Sequence, residues 1–112
     1  MSWRAFRDGS SIGVRGSEEG TILLDDEHQD GARITLERDS KTAPFAITCG
    51  IYDWMVHTRF FGEETQARQD FETMKVALDD IVRAIPFLDD PDLEKKWKAV
   101  ISAIDEFVER YP

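Results

Sequence analysis

The residues best suited to catalysis lie close together in the middle of the chain, at Cys49 and His57. A cysteine beside a histidine can act as an activated nucleophile when the two side chains come within hydrogen-bond distance. A reactive thiolate also needs a polar, electropositive environment, whereas Cys49 lies in the apolar run FAITCGI. We therefore expect Cys49 to be a small buried hydrophobic residue and not a nucleophile.

Other catalytic and metal-binding motifs find little support in the sequence. His28 and His57 share no short ligand spacing, and the acidic residues 25–30 depart from the calcium-loop pattern. The glycines of residues 9–20 precede neither the lysine of a P-loop nor a helix. Residues 9–13 (GSSIG) resemble a nucleophile elbow only in residue type and order, because no strand and helix of a parallel sheet flank them. We expect no catalytic residue, no metal and no cofactor.

The elements that must position these side chains centre on residues 44–85. Residues 45–51 and 54–60 alternate between apolar and polar side chains, which predicts two half-buried strands. An even-length loop centred on residues 52–53 would pair Cys49 with Val56 and would place the large apolar side chains on one face. His57 would then point to the opposite face with Thr48, away from Cys49.

A second hairpin precedes this one, over residues 21–28 and 32–39. A three-residue loop with Gly31 in a left-handed conformation places Leu24 opposite Leu36. The same register places Glu27 opposite Arg33 as a cross-strand ion pair. A fifth, edge strand is expected near residue 12.

Two amphipathic helices follow the strands. The first begins after Gly62 and stops at Pro86; the second begins at Asp90, a good N-cap, with Pro91 at the first helical position. The apolar stripe of the first helix is Ala67, Phe71, Met74, Leu78, Ile81 or Val82, and Ile85. That of the second is Leu93, Trp97, Val100 or Ile101, Ile104, Phe107 or Val108, and Tyr111. The order predicts one α+β domain over residues 1–112: an antiparallel meander sheet of four to five strands, then two C-terminal helices packed on one sheet face.

The sheet face turned away from the helices is the candidate site. These registers place Asp25, Arg33, Thr35, Glu37, Thr48, Met55, His57 and Arg59 on it. Glu37, His57 and Arg59 would suit anion binding or proton transfer if they met in a concavity. A solvated face with cross-strand pairs and a dimer contact are the alternatives. The predicted ligand-binding or partner-binding residues are Glu37, Thr48, Met55, His57 and Arg59.

Composition limits the partners. The 112 residues carry a net charge of −9, which disfavours binding to nucleic acids and to anionic membranes. No apolar run reaches the roughly 20 residues of a membrane helix, and no signal peptide is recognisable at the N-terminus. A single cysteine fits a reducing compartment, so we expect a cytoplasmic protein.

Three functional hypotheses follow. The first is a non-catalytic module that binds a protein partner or self-associates as a homodimer through the open sheet face. The second is a small-ligand or enzymatic site around His57 and Arg59. The third is an acidic inhibitor or immunity-type protein that masks a basic partner. No set of residues in the sequence identifies a family.

Overall fold

The computed structural model describes residues 2–112 and contains five strands followed by two long helices. The strands are β1 (Trp3–Ala5), β2 (Thr21–His28), β3 (Ala32–Arg38), β4 (Phe45–Ile51) and β5 (Met55–Phe61), and the helices are α1 (Glu64–Arg83) and α2 (Leu93–Arg110). A short 3₁₀ turn, Phe6–Gly9, follows β1. All neighbouring strands pair antiparallel in the order β1-β2-β3-β4-β5. The predicted α+β meander with two C-terminal helices is confirmed.

The fifth strand is not where the sequence placed it. β1 pairs with β2 through residues 3–5, whereas the region around residue 12 forms turns and a single isolated bridge between Arg15 and Thr21. Trp3 lies edge-on against the His28 ring, with the ring centroids 5.0 Å apart. The chain terminus is therefore anchored by an aromatic contact that period-two alternation does not reveal.

The β2–β3 hairpin has the predicted register from Leu24 to the loop, whereas a β-bulge between Ile22 and Leu24 shifts the pairing by one residue at the start of β2. Leu24 lies opposite Leu36, Glu27 lies opposite Arg33, and Gly31 in the three-residue loop has a φ of 106°. The predicted ion pair between Glu27 and Arg33 is wrong, however. Arg33 instead reaches diagonally to Asp25 on the same strand as Glu27.

The β4–β5 hairpin has a different register from the one predicted. Its loop contains three residues, 52–54, and Asp53 takes the left-handed conformation at φ 71° that Asp tolerates better than most residues. Cys49 therefore lies opposite His57, and Ile51 lies opposite Met55. Because side chains alternate along a strand, this one-residue difference moves every side chain of β5 to the other face.

The helices cover one face of the sheet, which we call the inner face. The predicted stripe of α1 is buried there, except that Ile85 lies beyond the end of the helix and is partly buried. Of the predicted stripe of α2, Val100 and Phe107 are buried, as is Tyr111 just beyond the helix, whereas Trp97 is 39% exposed. The sheet contributes Ala32, Ile34, Leu36, Ile47, Cys49, Ile51 and Phe61 to the same core. Among the described residues, neither helix is long and apolar enough to cross a membrane.

Helix α2 begins at Leu93, three residues after the predicted cap. The predicted cap is wrong: the N-cap residue is Asp92, and Asp90 and Pro91 precede the helix. The Asp90 carboxylate accepts a hydrogen bond from the Asp92 N–H at 2.8 Å and from the Lys96 ammonium at 2.7 Å. These two contacts, that of Lys96 first, lower the pKa of Asp90. The aspartate thus fixes the turn before the helix.

Substitution of Gly20 by alanine is expected to destabilise the fold. A methyl group there would meet the Arg38 carbonyl oxygen well inside van der Waals contact, and backbone cannot yield as a side chain can. We expect a loss of about 1–3 kcal/mol in the free energy of unfolding, measured by urea denaturation. Gly62→Ala is the matched control, since a methyl group there meets nothing within 4 Å. Equal stabilities of the two variants would contradict this account of Gly20.

Candidate functional site

The outer face of the sheet, opposite the helices, is divided into two halves. Over β2 and β3 it carries an ion pair with a buried carboxylate: the partly exposed Arg33 donates to both carboxylate oxygens of Asp25, at 2.9 and 2.6 Å. The Asp25 side chain has no exposed surface, and the Arg33 guanidinium lies 3.7 Å from the centroid of the Phe6 ring. Ser11 donates a further hydrogen bond to Asp25 at 2.7 Å. Residues 6–11 are thereby fixed onto this half.

Glu37 is the second buried carboxylate of the outer face and is fully inaccessible. It accepts hydrogen bonds from the backbone N–H groups of Glu18, at 3.2 Å to each oxygen, and of Gly20, at 2.9 Å. Gly16 lies directly against the carboxylate, where any side chain on residue 16 would collide with it. The turn of residues 16–20 is thus built around this anion, because a buried carboxylate requires hydrogen-bond partners.

Residues 6–20 therefore cover the β2–β3 half of the outer face and leave the β4–β5 half open. The boundary between the halves forms a groove of about 550 Å³, which we call the outer groove. It is lined by Arg15, Gly16, Ser17, Ile22, Arg33, Thr35, Thr48, Gly50, Tyr52, Asp53 and Val56, together with parts of Cys49, Ile51 and Met55. Val56 is 80% exposed and Tyr52 is 49% exposed, so the outer groove has an accessible apolar wall.

The polar groups of the outer groove are mainly hydroxyls. Thr48 lies 3.4 Å from Ser17 and 3.4 Å from Thr58, hydroxyl oxygen to hydroxyl oxygen. Thr35 donates to the Thr48 carbonyl oxygen at 3.4 Å. The two histidines hydrogen-bond elsewhere, His28 to Asp79 and His57 to the Tyr111 carbonyl oxygen. The hydroxyls offer hydrogen-bond donors and acceptors along the floor of the outer groove.

The five predicted site residues do not come together. Glu37 and Thr48 lie on the outer face as predicted, whereas Met55, His57 and Arg59 lie on the inner face because of the changed register. The prediction that those three belong to the outer face is wrong. The structure therefore separates the proposed Glu37, His57 and Arg59 cluster across the sheet.

On the inner face, His57 and Arg59 make internal contacts. The Nε2 atom of His57 lies 2.5 Å from the Tyr111 carbonyl oxygen, and its ring lies edge-on to Phe107 at 6.4 Å. Arg59 forms an ion pair with Asp70 of α1 and lies 5.0 Å from the centroid of the Phe61 ring. These contacts fasten both helices to β5, so the two residues act as structural links.

Cys49 and His57 are cross-strand neighbours on the inner face, contrary to the separation that the sequence predicted. Burial raises the pKa of the Cys49 thiol to about 12, so the thiolate is scarce at neutral pH. His57 is meanwhile bound to the Tyr111 carbonyl oxygen. The two side chains are neighbours, as in a catalytic Cys–His pair, but the Cys49 thiol is not ionised as a nucleophile must be.

Sequence reasoning missed the role of His28, the other histidine. It is buried under α1, where its Nδ1 accepts the Asp30 N–H at 3.0 Å and its Nε2 lies 2.6 Å from Asp79. The hydrogen bond from His28 is the main cause of the lowered pKa of Asp79. Both nitrogens are occupied, so the pair joins β2 to α1. In the sequence, the contact is indicated by Asp79 alone, an acidic residue beside the apolar stripe of α1.

No group of three or more histidine, cysteine or acidic side chains within residues 2–112 is placed to hold a metal ion. Comparison with known protein families, with curated proteins and with solved structures finds no match to this chain. The function must therefore be inferred from the geometry of the chain itself.

Loss of the Glu37 carboxylate is expected to release residues 16–20 from the sheet. In Glu37→Ala the N–H groups of Glu18 and Gly20 lose their acceptor, and we expect a loss of about 1–3 kcal/mol in the free energy of unfolding. Hydrogen exchange of those two amides, followed by NMR, should accelerate. Glu37→Gln retains an acceptor oxygen and should give a smaller change. Unchanged exchange in Glu37→Ala would show that the turn does not depend on the carboxylate.

The Cys49 thiol is expected to resist modification in the folded protein. Its folded pKa of about 12 lies above the ordinary value of 9.0, so ionisation favours the unfolded chain. Its contribution to stability is complete below pH 9.0 and is lost as pH rises towards 12. At pH 8 we expect an aromatic disulfide reagent to label native Cys49 only after addition of urea. The control, Cys49→Ala with Thr48→Cys, places the thiol in the outer groove and should react without urea.

Proposed function

We propose that this protein is a non-catalytic protein-interaction module, and that the outer groove binds its partner. The observation that carries the proposal is the exposed apolar wall formed by Val56 and Tyr52 above a hydroxyl-lined floor. Because β3 and β4 are central strands of the sheet, the floor is rigid and little conformational entropy is lost on binding. Aromatic and aliphatic side chains held in this way are typical anchors of protein interfaces.

The hypothesis of a ligand or enzymatic site around His57 and Arg59 receives less support. His57 is engaged by the Tyr111 carbonyl oxygen, and Arg59 by Asp70 of α1. An incoming substrate would have to displace contacts that hold the helices to the sheet. The outer groove offers hydroxyls and a paired arginine, which fit recognition better than proton transfer.

The partner that fits best is a basic protein with an apolar anchor. The two arginines of the outer groove are paired, Arg15 with Glu19 at 2.5 Å and Arg33 with Asp25. The groove is therefore nearly neutral, while the whole chain carries a charge of −9 that attracts a positively charged surface. An acidic inhibitor or immunity-type role is one form of this activity. The buried free thiol fits a reducing compartment, and we place the activity in the cytoplasm.

Blocking the outer groove is expected to abolish partner binding. In Thr48→Arg a long charged side chain would occupy the groove floor, and we expect the affinity for the partner to fall at least about tenfold, or about 1.4 kcal/mol. The partner is to be isolated from the native cells by affinity purification on the wild-type protein, then purified and titrated by calorimetry. Affinity should also fall steeply as salt concentration rises.

The matched control is Thr73→Arg, which places the same side chain on the exposed surface of α1. This variant should bind the purified partner with unchanged affinity. Equal affinities of the wild-type protein and both variants would place the binding surface elsewhere. If the protein converted a candidate substrate, and if His57→Ala lost this activity while Thr48→Arg kept it, the ligand-site hypothesis would be favoured instead.

A further inference from the structure

The outer edge of β5 is an unoccupied surface of the sheet. β5 is the last strand in the order, and within residues 2–112 no backbone group pairs with its outer edge over Met55–Phe61. Its pairing with β4 runs without a bulge, and the strand contains neither proline nor lysine, so it lacks the features that commonly protect an edge. Arg59 gives no protection, because its side chain lies on the inner face and is paired with Asp70 of α1. The edge therefore presents backbone donors and acceptors with which a further strand can pair.

Helix α2 extends over this edge on the inner face. Helix α1 packs mainly on β3 and β4, and β5 lies about 7 Å from the middle of those two strands, at one and a half strand spacings. A helix packed beside α1 lies about 8–10 Å from it, and therefore over β5 and slightly beyond. The contacts of α2 agree, since Trp97 lies 5.3 Å from Trp54 and Phe107 lies 6.4 Å from His57, between ring centroids. The flank of α2 that faces away from α1 thus overhangs the position of a sixth strand.

The overhanging flank is apolar and accessible. Trp97, Ile101 and Val108 are 39%, 48% and 37% exposed, and they recur at helical spacing, so they form one stripe along the helix. Ala99 and Ala103 lie on the opposite side of α2, where they line a groove between the two helices. The stripe therefore faces away from α1 and towards the free edge. We call the outer edge of β5 and this stripe together the strand slot.

A second copy of this chain does not fit the strand slot through its own β5. Pairing of two β5 strands would place them about 4.8 Å apart, and each strand carries an α2 helix along it on the same face of the joined sheet. The two helices would then lie well inside the separation of about 8–10 Å that packed helices require. The strand slot therefore suits an extended segment that has no helix of its own on the inner face.

Acidic residues border the stripe on its solvent side. Asp105 lies one helical turn after Ile101, Glu109 follows Val108, and both carboxylates are exposed. A lysine or arginine of an added strand would pack its aliphatic stem against Val108 and place its charge beside these carboxylates. The charge of −9 on the whole chain also favours the approach of a basic segment.

We propose that the strand slot binds an extended basic segment of a partner protein, which joins the sheet as a sixth strand. Backbone hydrogen bonds to β5 hold the segment, and its alternate side chains give specificity. The side chains that point to the inner face are apolar beside Trp97 and Ile101 and basic beside Val108. Those that point to the outer face lie next to Val56 and Phe60, where β-branched residues pack well.

The strand slot does not rest on the function proposed for the outer groove. The floor of the groove at Thr48 belongs to β4, whereas the strand slot is formed by the far edge of β5 and by α2. A variant that blocks the groove floor therefore leaves the strand slot intact, and the two proposals can be tested separately.

Titration with a synthetic strand tests the proposal. The probe is the heptapeptide TVTVTKT with blocked termini, whose two valines and lysine share one face when it is extended. At millimolar peptide, the NMR signals of the β5 amides and of the Trp97 indole N–H should shift. In Ile101→Lys the stripe is interrupted by a charge that repels the peptide, and the dissociation constant should rise at least about tenfold. Unchanged β5 signals in the wild-type protein at several millimolar peptide would overturn the proposal.

Two variants with the same added charge are the controls. Val76→Lys lies on α1, where Val76 is 65% exposed, and Thr48→Arg lies in the outer groove. Both should bind the peptide with the affinity of the wild-type protein. Loss of binding in Thr48→Arg but not in Ile101→Lys would assign the peptide to the outer groove and would refute the strand slot. Shifts of the β5 signals with protein concentration alone would assign the edge to a second copy and would refute it equally.

Backbone methylation of the probe tests strand addition itself. In an extended strand the N–H groups of odd-numbered and even-numbered residues point to opposite sides, and only one set can face β5. Methylation of the amide nitrogens in one set should abolish binding, and methylation of the other set should leave the affinity unchanged. Equal affinities of the two methylated peptides would show that the segment does not pair with β5.

Discussion

The outer half of the structure depends on two buried carboxylates, Asp25 and Glu37. An ionised carboxylate is costly to remove from water unless hydrogen bonds or opposite charges replace the lost hydration. Asp25 obtains them from Arg33 and Ser11, and Glu37 obtains them from the backbone of residues 18–20. These requirements fix the position of residues 6–20 over the sheet. The outer groove exists because that segment ends where the β4–β5 half begins.

The two hairpins explain why one register was predictable from the sequence and the other was not. In β2–β3, Gly31 marks the left-handed position and Leu24 has only one good partner in Leu36. In β4–β5, Asp53 takes the left-handed position in place of glycine, and the observed register turns His57 and Arg59 inward while the more apolar side of β5, with Val56 and Phe60, is exposed. The observed register is the one in which His57 contacts Phe107 of α2 and the carbonyl oxygen of Tyr111, just beyond that helix. That contact is distant in sequence and leaves no local pattern.

The candidate site shows the same division between local and distant causes. Period-two alternation placed Glu37 and Thr48 on the outer face because β3 and β4 had the correct parity. It placed His57 and Arg59 wrongly because a single loop residue changed the parity of β5. The covering segment of residues 6–20 has no periodicity, and its contacts with Glu37 run through backbone N–H groups that any residue type carries. Only the glycines at 16 and 20 gave a signal.

The outer groove stays open because the covering segment of residues 6–20 stops at the middle of the sheet. Ser17 of that segment lies 3.4 Å from Thr48, hydroxyl oxygen to hydroxyl oxygen. On the far side of Thr48, Val56 and Phe60 of β5 are 80% and 41% exposed on the outer face. On the function proposed for the groove, a partner that buries these two side chains would gain the apolar contact. The charge of −9 would act over a longer range and would raise the rate of encounter with a basic surface.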